Sequence, residues 1–138
     1  MEQYPIVKTD AEWREQLGPE GFQVLRRAGT ERAWTGALLD EKRPGVYRCK
    51  ACDADLFEST TKFESGSGWP SFFQPVSPDA VQLIEDRSFG MARTEVRCAR
   101  CGSHLGHLFD DAYGTPTGDR FCMNSVSLDF APGAAPQD

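Results

Sequence analysis

A mainly β domain built on antiparallel sheet, with short helices at its N-terminus, is predicted by three features of the chain. From Gly45 onward the sequence breaks into short β-prone runs punctuated by Gly, Pro, Asp and Ser. The intervals between those runs are too short for the crossover helices that parallel strands require. Helix signals are confined to the first thirty residues. A length of 138 residues suits one domain with a single core.

The elements follow in order. Thr9-Asp10-Ala11-Glu12 has capping-box spacing, Trp13 and Leu17 fall on one helical face, and Gly18 is placed to end the helix. A second short helix is expected to start with Pro19 in its first turn, to face Phe22, Leu25 and Ala28 inward and to stop before Gly29. Strands are expected over residues 45–49, 56–58, 81–85, 90–97 and 126–130. In the last, Val126, Leu128 and Phe130 alternate with Ser125, Ser127 and Asp129, the pattern of a strand with one buried face. The domain is expected to span 1–130, and residues 131–138, with nothing to bury, to form a disordered tail.

Charge and hydropathy exclude some functions. Fifteen Lys and Arg against 21 Asp and Glu leave a net charge of −6, so no basic field exists to attract nucleic acid or an anionic membrane surface. The longest run without a charged residue, 65–78, is 14 residues long, too short to span a bilayer and interrupted by Pro70 and Pro75. The N-terminus lacks the features of a signal or transit peptide, so a cytoplasmic location is expected. An odd count of five cysteines fits poorly with a fully paired disulfide framework.

The spacing of the cysteines explains four of them. Cys49-Lys50-Ala51-Cys52 and Cys98-Ala99-Arg100-Cys101 are two Cys-x-x-Cys pairs, each followed by a turn-forming residue, Asp53 or Gly102. Two such turns bring four sulfurs onto one tetrahedral ion, a closed site for one structural Zn²⁺ that joins two distant hairpins. A thioredoxin-like redox pair would need a single Cys-x-x-Cys in βαβ surroundings. A rival set, Cys98, Cys101, His104 and His107, would crowd four ligands into ten residues and leave Cys49 and Cys52 without a role. A closed site has no open position for substrate, so any chemistry must lie elsewhere.

Cys122 remains. An unpaired Cys in a strand is commonly a small buried hydrophobe. Here Arg120 and Asn124 lie two residues to either side, and on a regular strand all three side chains project to one face, where they could stabilise a thiolate. Nearby sequence holds further parts of a site: both histidines in His104-Leu105-Gly106-His107, an aromatic on a glycine-rich loop in Gly66-Ser67-Gly68-Trp69-Pro70, and Phe72-Phe73. Together they offer proton handling and aromatic walls around a small polarised group beside a methyl.

The segments Gly68-Trp69-Pro70-Ser71-Phe72, His104-Leu105-Gly106-His107 and Arg120-Phe121-Cys122-Met123-Asn124-Ser125 occur in the order found in B-type methionine sulfoxide reductases, and the chain from Thr30 to Phe130 resembles that family. The resemblance implies two antiparallel sheets with small N-terminal helices, a zinc-stapled β-tent-like fold, with the metal on Cys49, Cys52, Cys98 and Cys101. It implies Cys122 as nucleophile and a substrate pocket with Trp69 and Phe121, with His104, His107, Arg120 and Asn124 organising substrate, water and thiolate. The implied reaction is reduction of methionine (R)-sulfoxide, free or in oxidised proteins, through a Cys122 sulfenic acid. The partners implied are thioredoxin or another thiol reductant, and the chain is expected to act as a monomer. The sequence departs from the family at one point: Gly66-Ser67-Gly68-Trp69 stands where many members place a resolving Cys. A rival class is a zinc-ribbon-like module that only docks a partner protein; such a module has no need of Cys122, Arg120, Asn124 and the two histidines.

Overall fold

The computed structural model describes residues 4–87, 90 and 92–135. The one α-helix among the described residues, α1 (Asp10–Leu25), opens on the capping box: Thr9 Oγ1 accepts from Glu12 N, and the Glu12 carboxylate accepts from Thr9 N at 2.9 Å. Gly18 leaves helical geometry at φ 76° and Pro19 restarts it, so α1 consists of the two expected short helices joined at a kink. The second half ends sooner than expected. Arg26 is the C-cap, and Ala28 sits exposed in the left-handed region instead of packing inward, because Gly29 N folds back to Gln23 O at 3.0 Å.

Among the described residues, nine strands form two antiparallel sheets. The smaller sheet pairs β1 (Gly45–Cys49) between β2 (Asp55–Glu58) and β9 (Leu128–Pro132). The larger runs in the order β3 (Lys62–Phe63), β4 (Ser71–Phe72), β8 (Arg120–Met123), β7 (His104–Phe109), β6 (Arg93–Cys98), β5 (Val81–Asp86). Expected and observed strands agree closely at β1, β2 and β5. β6 begins at Arg93 rather than at 90, and Met91 of the expected strand lies outside the described residues.

The C-terminal strand is shifted from its expected register. Residues Ser125–Ser127 form a 3₁₀ turn in which Ser125 and Ser127 are buried and Val126 is only half-buried, the reverse of the alternation read from sequence. Hydrogen bonds decide this: Ser127 Oγ donates to His104 O at 3.0 Å, and Ser125 Oγ accepts from Leu38 N at 3.2 Å, so the polar groups go inward with partners. β9 then extends two residues into the segment expected to be disordered, with Ala131 and Pro132 opposite Val46 and Gly45.

The core lies between the sheets. Phe57 stacks on Phe72 at 4.5 Å and Tyr47 meets Phe72 edge-on at 4.9 Å, while Leu56, Val96, Leu105 and Met123 are fully buried around them. α1 contributes Trp13 and Leu25 and packs on β7 and the 3₁₀ turn, behind the strands that carry the site. Truncating Trp13, wholly buried, to Ala would cost about 3–5 kcal/mol.

Candidate active site and metal centre

The two Cys-x-x-Cys turns are built alike. Asp53 N donates to Cys49 O at 2.8 Å with Asp53 at φ 67°, and Gly102 N donates to Cys98 O at 2.8 Å with Gly102 at φ 75°. Cys49 N and Cys98 N reach forward to Ala54 O at 2.8 Å and Ser103 O at 2.9 Å. Each turn thereby lifts two sulfurs off a strand end. Both are tied to α1, Gln16 donating to Ala51 O at 2.7 Å and Arg26 to Cys101 O at 2.9 Å. The four Sγ atoms lie within 4.8 Å of one another, with Cys49 to Cys101 at 3.7 Å and Cys52 to Cys98 at 3.5 Å. A tetrahedral zinc with bonds near 2.3 Å requires sulfurs about 3.8 Å apart, so the donor set and its spacing fit the ion. His104 and His107 take no part in this cluster, which disposes of the rival ligand set.

The second cluster forms on the larger sheet. Register places Ser71 opposite Cys122, Cys122 opposite His107, and His107 opposite Glu95, so these side chains form one row across β4, β8, β7 and β6. His104 is three residues from His107 and would face away on a regular strand. A bulge at Leu105, where Arg97 pairs with His104 and Val96 with Gly106, returns it to the same side, and the two imidazoles meet at 5.4 Å.

Cys122 Sγ lies 3.4 Å from Ser67 Oγ and 3.5 Å from Arg120 Nη1. Arg120 is held for that contact by a bidentate pair with Asp111, at 2.9 and 3.0 Å, and by stacking over Phe109 at 4.4 Å. The Asp111 hydrogen bonds raise the guanidinium pKa further and lower that of the carboxyl. Above the sulfur is a cavity of about 100 Å³ lined by Thr30, Trp69, Arg93, Gly106, His107, Phe109, Cys122 and Asn124. Trp69 is pinned as its wall by Nε1 donating to Glu31 O at 3.0 Å. His107 Nε2 meets Asp86 Oδ2 at 3.0 Å, and burial lowers the imidazole pKa even though Asp86 opposes the shift, which favours the neutral ring.

Three residues depart from the roles expected of them. Phe121 points to the other face of β8, into the core beside Phe57, and does not line the cavity. His104 is buried behind His107, with Nδ1 on Glu95 Oε2 at 2.7 Å, and does not line the cavity either. Burial pushes the Glu95 carboxyl up, but hydrogen bonds from His104 and Arg97 outweigh it and hold it below its ordinary value. Asn124 lines the cavity yet spends its amide on the backbone, accepting from Glu31 N at 3.0 Å and donating to Leu105 O at 3.1 Å, so it braces the site and makes no bond to the thiol. Sequence reasoning overlooked Glu31, Asp86, Glu95 and Asp111, the groups that hold Asn124, His107, His104 and Arg120. None of the four carried a sequence signal; even Glu95, inside a β-prone run, alternates with Val96 and shares its strand face with Arg93 and Arg97, which reads as the solvent side.

Residues 17–132 match the SelR domain. The chain belongs to the SelR family. Relatives named peptide methionine sulfoxide reductase MsrB include one from Leifsonia xyli subsp. xyli, 65% identical over 94% of each chain. Another, from a Synechococcus species, is 55% identical over 91% of this chain and 92% of the relative, and one from Methanosarcina barkeri is 55% identical over 94% and 91%. Among solved structures, the Mis18 Yippee-like domain shares the fold, with a TM-score of 0.51 at 20% identity over 64% of this chain and 96% of that one. No helix among the described residues is long and apolar enough to cross a membrane.

Proposed function

We propose that the protein is a thiol-dependent methionine (R)-sulfoxide reductase in which Cys122 is the nucleophile. The observation that carries the reading is the placement of Cys122 Sγ between Ser67 Oγ and Arg120 Nη1 on the floor of a small cavity walled by Trp69 and Phe109. The cavity suits a methyl sulfoxide head group, with the methyl against the indole and the polar oxygen toward His107. Arg120 and Ser67 each present a hydrogen-bond donor to the Cys122 sulfur. Attack of the thiolate on the sulfoxide sulfur, with a proton delivered to the oxygen, transfers the oxygen to Cys122. The substrate sulfur is reduced by two electrons to methionine and Cys122 is oxidised by two to a sulfenic acid. His107, positioned by Asp86 at Nε2, is the group placed to handle that proton.

Zinc, held by Cys49, Cys52, Cys98 and Cys101, would cross-link the two knuckles and supply no reacting group, since four sulfurs fill its tetrahedron. With Ser67 beside Cys122, no resolving thiol stands at the site. An external thiol, such as thioredoxin, glutaredoxin with glutathione, or a small dithiol, then attacks the sulfenic acid, releasing water and leaving a mixed disulfide that a second thiol reduces. Such a cycle belongs in a reducing compartment, which we take to be the cytoplasm.

The test is turnover of R and S sulfoxide epimers offered separately with dithiothreitol, together with Cys122→Ser. Reduction of the R epimer alone, abolished in Cys122→Ser with zinc retained, supports the reading. Equal use of both epimers, or a Cys122→Ser enzyme with near wild-type turnover, overturns it.

A further inference from the structure

Three serine hydroxyls line up behind the reactive sulfur. Ser71 Oγ is 2.7 Å from Ser65 Oγ, Ser65 Oγ is 2.8 Å from Ser67 Oγ, and Ser67 Oγ is 3.4 Å from Cys122 Sγ. Ser71 is 1% exposed and stands directly across the ladder from Cys122, while Ser65 and Ser67 sit on the loop that precedes β4. Backbone donors complete the chain: Ser67 N donates to Ser65 Oγ at 3.2 Å and Trp69 N to Ser67 Oγ at 3.4 Å.

Counting protons and lone pairs shows where the chain can end. A hydroxyl has one proton to give and two lone pairs to fill. Ser71 Oγ also has a backbone acceptor, Trp69 O at 3.1 Å, so the chain has two polarities: away from the sulfur, Ser67 donates to Ser65, Ser65 to Ser71 and Ser71 to Trp69 O; toward it, Ser71 donates to Ser65 at the shorter 2.7 Å and Ser65 to Ser67. In the second polarity the lone pairs of Ser65 are filled by Ser71 Oγ–H and Ser67 N–H. Those of Ser67 are filled by Ser65 Oγ–H and Trp69 N–H. The Ser67 proton is then left with two acceptors, Cys122 Sγ and, at a longer 3.5 Å, Trp69 O. A thiolate, which only accepts, is the better of the two and selects the polarity that runs toward it, because the opposite one leaves the sulfur without a hydroxyl donor; each hydroxyl upstream then polarises the next.

We propose that Ser67 is a hydrogen-bond donor to the Cys122 thiolate and that Ser65 and Ser71 are positioning residues, acting through Ser67 by orienting its proton toward the sulfur. The serine in place of a resolving cysteine thus stabilises the attacking form of Cys122. Ser65 makes no hydrogen bond to Cys122 and does not line the substrate cavity, so its hydrogen-bonding effect on the sulfur runs through this chain. The proposal rests on the reading of Cys122 as the nucleophile.

The experiment measures alkylation of Cys122 by iodoacetamide at pH 7 in the zinc-loaded full chain without substrate, read by peptide mass spectrometry so that the knuckle cysteines are scored separately. Ser67→Ala should slow alkylation by about tenfold, the scale of a hydrogen bond to a charged group. Ser65→Ala should slow it by about threefold, since it removes orientation and polarisation but not the donor. Ser65→Thr, which keeps a hydroxyl, should return it toward the wild-type rate. Wild-type alkylation in both alanine variants, or a Ser65→Thr protein as slow as Ser65→Ala, would overturn the proposal. Turnover that survives Cys122→Ser would instead bring down the reading of Cys122 as nucleophile, so the two failures are distinguishable.

Discussion

Replacing Gly106 by alanine would place a Cβ 2.0 Å from the carbonyl oxygen of Cys122, 2.9 Å from Met123 Cα and 3.0 Å from Cys122 C. All three are backbone atoms of the neighbouring strand, so no side chain can swing aside. Relieving the overlap to an ordinary contact of roughly 3.5 Å means moving β7 and β8 apart by about 1.5 Å, against a normal strand spacing of about 4.8 Å. The pairs Gly106 with Met123 and His107 with Cys122 lie at the point of contact, and stretching about two ladder hydrogen bonds there costs about 2 kcal/mol. Overpacking adds about 1–3 kcal/mol, for a total near 3–5 kcal/mol. That is a large part of the 5–15 kcal/mol a domain of this size commonly has, and it should lower the melting temperature by about 10–15 °C. The same movement shifts Cys122 relative to His107, and since a displacement of about 1 Å at a reacting group already costs about a hundredfold, kcat/KM should fall by at least that much. The assay is thermal unfolding by circular dichroism with parallel turnover of the R sulfoxide, and Gly114→Ala serves as control because an added Cβ there meets nothing within 4 Å. A Gly106→Ala protein that melts within about 3 °C of the wild type and turns over normally would refute the reasoning.

Other outcomes follow from the same geometry. Cys49→Ser should lose the metal and the cooperative melt together, since binding and folding are coupled, and X-ray absorption of the intact protein should show four sulfur neighbours; a well-folded, metal-free variant would contradict this. Trp69→Ala should lower kcat/KM by about 10–100-fold through loss of the cavity wall while zinc content stays at the wild-type level. Burial lowers the pKa of His107, so on acidification the unfolded chain takes up that proton before the folded one does. The stability it supplies is therefore complete above the ordinary imidazole value of about 6.5 and is lost as pH falls through the lower folded value. Urea midpoints should drop between pH 7 and pH 5, and the drop should be shallower in His107→Gln; parallel curves would refute it.

How much of this was legible in the sequence depends on the range of the interaction. The capping box at Thr9, the break at Gly18 and Pro19, the strand at 45–49 and the two Cys-x-x-Cys turns were all readable, because each is a local rule of backbone geometry or of ligand spacing within a few residues. Cys122 emerged by subtraction from the cysteine count, and Arg120 from a two-residue spacing that the strand preserves. Long-range partners decided the rest. The alternation over 126–130 was misleading because buried hydrogen bonds to His104 and Leu38 outweighed the apolar pattern and turned Ser125 and Ser127 inward. The spacing of His104 and His107 could not show that both face one side, since the bulge that brings them together is a property of pairing with β6. Phe121 shares a motif with Cys122 but, one residue away on a strand, belongs to the opposite face. Glu31 braces Asn124 across 93 positions and Trp69 across 38, contacts that no local pattern encodes. Which chemistry the chain can perform was thus written in short motifs, while the orientation of each group toward the sulfur was set by register and by partners that only folding brings close.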